Sequence, residues 1–140
     1  MSNPVSFDIK DYLVAQSFGT FASTSSSVWG IFCVMEPEKN KKSITIVDTV
    51  GFKPLNTINR QTPTRREGFM VKVRDIVYTT AWTKLDAIGN KLDNTYQLTI
   101  NSQLYDTIVK QGDINYLGVD ENSNHMFSLN FLAYRRVALT

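Results

Sequence analysis

The clearest periodicity in the chain runs over Thr79–Asp93. Trp82, Leu85, Ile88 and Leu92 recur there at spacings of three, three and four, which predicts a helix with one apolar stripe. Thr79 or Thr80 can cap its start. Gly89 in its interior costs about 1 kcal/mol relative to Ala, a cost that close packing on a sheet can offset. A second, shorter helix is predicted over Phe7–Gln16. Ile9, Tyr12 and Leu13 share one face, Asp8 and Asp11 lie in the first turn where the helix dipole favours them, and Gly19 is placed to terminate it.

The remaining apolar positions follow strand patterns. Val28–Met35 is almost wholly apolar and is bounded by polar clusters, as suits a central strand buried on both faces. Ser43–Thr49 is rich in β-branched residues and is expected to pair with it as a hairpin across the charged turn Glu36–Lys42. Phe69–Arg74 alternates, with Phe69, Val71 and Val73 on one face and Met70, Lys72 and Arg74 on the other. Tyr96–Ile100 and Leu104–Val109 flank a turn at Asn101–Ser102, and Ile114–Leu117 is extended. His125–Val137 closes the chain, with Phe127, Leu129 and Phe131 opposite Ser128 and Asn130. Phe21–Ser27 and Gly118–Asn124 read as loops. The order predicts an α+β fold: a single mixed, mostly antiparallel sheet with two helices packed on one face. Met70, Leu132 and Tyr134 interrupt the polar side of that sheet, which points to a covering subunit.

Composition fits one domain. The chain has 140 residues, 42% hydrophobic and 20% charged, with no internal repeat and no linker. The net charge of +2 does not by itself argue for nucleic-acid binding. Cys33 is the only cysteine, so no intramolecular disulfide forms; it reads as a buried small hydrophobe. Met1–Phe7 lacks a basic n-region and an apolar h-region, so no signal peptide is expected. No apolar run approaches the roughly 20 residues that a membrane span needs.

The search for chemistry is brief. His125 is the only histidine, and neither a catalytic triad nor a zinc site has supporting spacing around it or Cys33. Asp120 and Glu121 lack the spacing of a calcium loop and suit a turn. Gly89–Asn90–Lys91 sits inside a helix and lacks the rest of a phosphate-binding loop. Arg66–Val73 weakly echoes an RNA-recognition strand but offers only Phe69 for stacking. The reading is therefore of a non-enzyme with no catalytic, cofactor or metal residues. The most informative charge feature is the long irregular segment at about residues 50–67. It carries Lys53, Arg60, Arg65 and Arg66 with no acid before Glu67, and it reads equally as a solvated loop or as an arm that docks on an acidic partner or on phosphates.

Several segments together resemble the tail-terminator, or minor capsid and tail-completion, proteins of long-tailed bacteriophages. They are Asp8-Ile9 to Tyr12-Leu13 with Gly19-Thr20; Phe32 with Glu36-Pro37-Glu38; and Arg66 before Val71–Arg74. They continue with Tyr78–Ala81, Leu85, Ile88 and Leu92, then Gly118 and Asp120-Glu121-Asn122 leading to Phe127-Ser128 and Asn130-Phe131. The chain departs from the pattern at Ser123-Asn124, where Gly-Arg is usual, and in lacking a proline after the arginine near Arg66. The resemblance implies a virion protein of the tail or neck, assembled in the host bacterial cytoplasm. It forms a ring, typically a homohexamer, at the head-proximal end of the tail tube. The ring stops tube polymerisation and joins the tail to the head connector or neck protein, and genomic DNA passes through its lumen without specific binding. The subunit or partner contacts are expected at Phe52, Lys53, Arg60, Arg65, Arg66, Asp120, Glu121 and Asn122. Another head-tail joining protein of the same fold class, or a small nucleic-acid-binding domain, is the alternative reading.

Overall fold

A computed structural model of the chain describes residues 4–22, 28–33, 42–52, 64–93 and 95–136. Its elements run α1 (Val5–Ala15), β1 (Thr20–Phe21), β2 (Gly30–Cys33), β3 (Ser43–Phe52), β4 (Thr64–Asp75), α2 (Tyr78–Leu92), β5 (Thr95–Ile100), β6 (Gln103–Lys110), β7 (Asn115–Val119) and β8 (His125–Arg136). The fold is α+β with the sheet dominant. The strands are ordered β1-β2-β3-β4-β8-β6-β5, and β7 pairs with β8. Residues 125–128 of β8 pair with β7 and residues 131–135 with β6, so one long strand serves two shorter ones along the same edge.

The centre of the sheet is β4 against β8. Their antiparallel register sets Val73 opposite Phe127, Val71 opposite Leu129 and Phe69 opposite Phe131, and β3 adds Ile44 and Ile46 to the same rows. These side chains are buried, and the Phe69 and Phe131 rings stack at 5.0 Å. The period-two alternation expected of these strands is therefore what the sheet uses. Both helices contribute to one core, α1 through Val5, Ile9 and Leu13, and α2 through Ala81, Leu85, Ile88 and Leu92.

Several local expectations need correction. Val28–Met35 was expected to be central, but its described strand is only Gly30–Cys33, lies second from the sheet edge, and leaves Phe32 and Cys33 half-exposed. It pairs with β3 in parallel, not as a hairpin, in the register Gly30–Ser43 to Cys33–Ile46. A short strand makes this possible: the nine residues 34–42 can cover roughly 30 Å, ample to return past four residues. Residues Thr20–Phe21, read as loop from Phe21 onward, form an edge strand parallel to β2. The parallel pairs β1–β2 and β2–β3 make the sheet mixed, and the other pairs among the described residues are antiparallel.

Both helices also begin and end differently. α2 starts after Val77 with no side-chain cap, so neither Thr79 nor Thr80 acts as one. Its buried stripe begins at Ala81 rather than Trp82, which is 43% exposed. α1 ends through Ser17, whose φ of 65° takes the left-handed position expected of Gly19. The Phe18 amide then returns to the Leu13 carbonyl at 3.0 Å. Gly19 has another task. A Cβ there would lie 2.6 Å from the Trp29 carbonyl oxygen, so its missing side chain lets β1 approach β2. Gly89 matches its expectation: a Cβ would lie 2.8 Å from Leu129 Cδ2, so α2 sits directly on β8.

The expected turn at Asn101–Ser102 is present. Both residues take positive φ, 50° and 65°, as the tightest hairpin between twisted strands requires. Strands β3 and β4 extend further into the irregular segment than the pattern predicts, to Phe52 and from Thr64; residues 53–63 lie outside the described residues.

Candidate functional site

No group of three His, Cys, Asp or Glu side chains among the described residues could hold a metal ion. Cys33 is half-buried rather than buried. Its thiol donates to the Ser6 carbonyl at 3.5 Å, and its pKa is pushed up to about 11, first by burial, against which Lys10 acts, and further by Asp11 and Asp48. A thiol held protonated in this way is a poor nucleophile. His125 opens β8, where its Nδ1 is 2.9 Å from the Tyr116 hydroxyl and its ring meets Tyr78 edge-on. Asp75, its register neighbour, is committed elsewhere, accepting from the Ile76 amide and from Lys42. The imidazole thus belongs to an aromatic group with Tyr78, Tyr116 and Phe127.

The charge chemistry inside the fold is a buried ionic cluster that pattern reading missed. Asp8 is fully buried on α1. It accepts from the Tyr105 hydroxyl at 2.5 Å and from Asn101 at 3.0 Å, and lies 3.5 Å from Arg135. Arg135 in turn makes a two-pronged contact with Glu67 at 2.7 and 2.8 Å. Burial alone would lower the guanidinium pKa, but Glu67, Tyr105 and Asp8 outweigh it and raise it. Burial and the Asp8 hydrogen bond together raise the Tyr105 pKa, so the phenol remains the donor. This cluster ties α1 to β4, β6, β8 and the β5–β6 turn. Its residues are separated by up to 127 positions, so no local pattern could reveal it.

The residues expected to contact partners fall at two separate ends of the central strands. Arg66 is partly buried on β4 opposite Tyr134, and the backbones of Phe52 and Arg65 lie in the same end of the sheet. Lys53 and Arg60 lie outside the described residues. Asp120, Glu121 and Asn122 form the loop after β7, near the opposite end of β4, where Arg74 lies 3.8 Å from Asp120. From residue 66 to residue 74 a strand advances roughly 26 Å, so the basic and acidic candidates are not one site.

The loop has an internal organiser. Asp120 Oδ1 accepts from the Asn122 and Asn124 amides at 2.8 and 2.9 Å, and its Oδ2 accepts from the Asn124 side chain at 3.2 Å. Burial pushes the Asp120 carboxyl up, but the Asn124 and Asn122 hydrogen bonds and Arg74 outweigh it and hold it below the usual carboxylate value. Asp120 therefore faces inward, whereas Glu121 and Asn122 are exposed. Ser123 takes a φ of 64°, the strained position that the Asp120 bonds support.

A cleft opens beside α2 and the start of β2. Its two lobes share Trp29 and Lys84; Thr79, Thr80 and Thr83 line one, and Phe18 lines the other. Lys84 Nζ lies 5.3 Å from the Phe18 ring centre and 5.4 Å from that of Trp29, and Lys42 Nζ stands 5.0 Å from Trp29. Burial, and after it the nearby Lys42 ammonium, lower the Lys84 pKa.

What these features define as a class is a sheet-based protein whose polar chemistry serves structure and surfaces. The chain matches the family described as bacteriophage tail terminator protein over residues 12–135, and it belongs to that family. It is thus a structural protein associated with the phage tail. It is also similar in fold to a chain of a solved structure described as the virion of a native gene transfer agent particle. The TM-score is 0.55 at 11% sequence identity, covering 76% of this chain and 78% of that chain. No curated protein matches the sequence. No helix among the described residues is long and apolar enough to cross a membrane.

Proposed function

We propose that the chain closes into a homo-oligomeric ring, a hexamer, at the head-proximal end of the tail tube. There it stops tube polymerisation and joins the tail to the head connector or neck protein, without enzymatic activity. The observation that carries this reading is the family match over nearly the whole chain. The fold gives it physical support. A closed ring needs unlike surfaces on one subunit that meet head to tail, and here the two lateral sides of the sheet differ, β1 and β2 on one and β5, β6 and β7 on the other.

The whole chain acts as one domain, with the segment at about residues 50–67, the ends of β3 and β4 and the connection between them, as its arm. Phe52, Lys53, Arg60, Arg65 and Arg66 serve contacts with a neighbour or the tube, and the Asp120–Asn122 loop serves the opposite end. The two helices cover one sheet face. The other face, with Val47, Met70 and Tyr134 half-buried, is left for assembly. Genomic DNA passes through the lumen without specific binding, because strong phosphate contacts would stall it. Assembly takes place in the host cytoplasm, and the protein stays in the virion.

The test is deletion from the producing phage. Tails of uncontrolled length are expected, together with particles that fail to join heads. Tails of normal length would overturn the reading.

A further inference from the structure

The Lys84 cleft is an incomplete charge site. Lys84 has no carboxylate partner among the described residues, although its ammonium is half-buried between Phe18 and Trp29. The second ammonium beside it, Lys42, is already paired with Asp75 at 3.2 Å. Removing a cation from water without an anion is unfavourable. An incoming carboxylate would reverse that cost, and the hydroxyl-bearing Thr79, Thr80 and Thr83 stand along the same cleft. The same chain presents a matching anion. Glu121 is exposed at the tip of the loop after β7 and has no ion pair among the described residues. The Asp120 hydrogen bonds hold that loop in one shape, so little order is lost on docking.

Position matters as much as charge. Trp29 directly precedes Gly30, which pairs with Ser43, and Ser43 pairs with Arg74. Arg74 also reaches Asp120, and Val119 pairs with His125 opposite Asp75. The cleft and the acidic loop therefore lie at the same end of the strands but on different sides. Four strand spacings separate β2 from β7, roughly 19 Å. Within one chain no ion pair joins Lys84 and Glu121 among the described residues. With the strands along the ring axis, two unlike patches at one end of them are what a rotation without a rise brings together.

We propose that the Lys84 cleft receives the Glu121 carboxylate of the neighbouring copy, making this pair a lateral contact of the ring. The inference rests on the ring reading and commits to a second copy as the occupant. Isotope-labelled and unlabelled chains are co-assembled, treated with a carbodiimide that joins touching amines and carboxylates, and mapped by peptide mass spectrometry. A Lys84–Glu121 link between labelled and unlabelled copies is expected. Glu121→Lys should weaken assembly at low salt about tenfold, and Lys84→Met, which adds no buried charge, should weaken it in the same direction.

Assembly of the wild type with no Lys84–Glu121 link, or with both variants assembling normally, overturns the contact while leaving the ring intact. A Lys84 link to a carboxylate of the tube or neck protein also overturns it. A wild-type chain that stays monomeric even with tail tubes supplied overturns the ring reading itself.

Discussion

Asp8, Tyr105, Arg135 and Glu67 show how single residues decide this molecule's stability. Two acids share one buried cation; Asp8 Oδ2 meets both Arg135 and the Tyr105 hydroxyl, and its Oδ1 accepts from Asn101. Arg135→Met should destabilise the fold by about 3–5 kcal/mol, because buried Asp8 and its neighbour Glu67 both lose the guanidinium they share. Urea unfolding at neutral pH measures this. Tyr105→Phe should cost less, about 1–3 kcal/mol, since only one donor to Asp8 is lost. Asp120 adds a pH dependence. Its folded pKa is lowered, so its contribution is present above the ordinary carboxylate value, about 3.9, and is lost as pH falls through the lower folded value. Unfolding curves at pH 6 and pH 3 should converge for Asp120→Ala relative to wild type on the acid side.

At the scale of elements, small residues set distances that apolar patterning does not specify. Gly89→Ala would gain about 1 kcal/mol of helix propensity. Yet its Cβ would meet Leu129 Cδ2 at 2.8 Å inside the core, and overpacking costs typically about 1–3 kcal/mol. The expected outcome is a net loss near 1 kcal/mol, read as a lower melting temperature. The same scale shows where the pattern was readable. Alternation in Phe69–Val73 and Phe127–Phe131 identified both strands and their buried rows, though not that these two form the centre of the sheet. The pattern could not distinguish a hairpin from a parallel pair for Ile31 and Ile44, because both arrangements bury the same side chains. Nor could it foresee that Trp29 would lie beneath the ammonium groups of Lys42 and Lys84 instead of in the core.

For the whole molecule, the long connection between β3 and β4 tests whether architecture and assembly are separable. Replacing residues 53–63 with a short turn should leave the melting temperature within a few degrees, since loop closure changes slowly with length. The same variant should lose assembly with tube or neighbour, as measured by mass. A collapse of stability would instead give the segment a structural role. Most of the fold class was legible in advance because long amphipathic runs dominate it. The candidate contacts were legible only as charge: Asp120 and Glu121 are adjacent in sequence, yet one turns inward to build the loop and the other faces out.

Sequence by itself determined both helices, most of the strands and the two buried strand faces, because periodicity is a local property. It also carried the family, through segments spread along the chain. Only the tertiary structure decided the parallel edge of the sheet, the Asp8–Arg135–Glu67 cluster, and the placing of the Lys84 cleft at the same end of the strands as the Glu121 loop. Each of these joins residues far apart in sequence. Their energy comes from burial and distance, which exist only once the chain has folded.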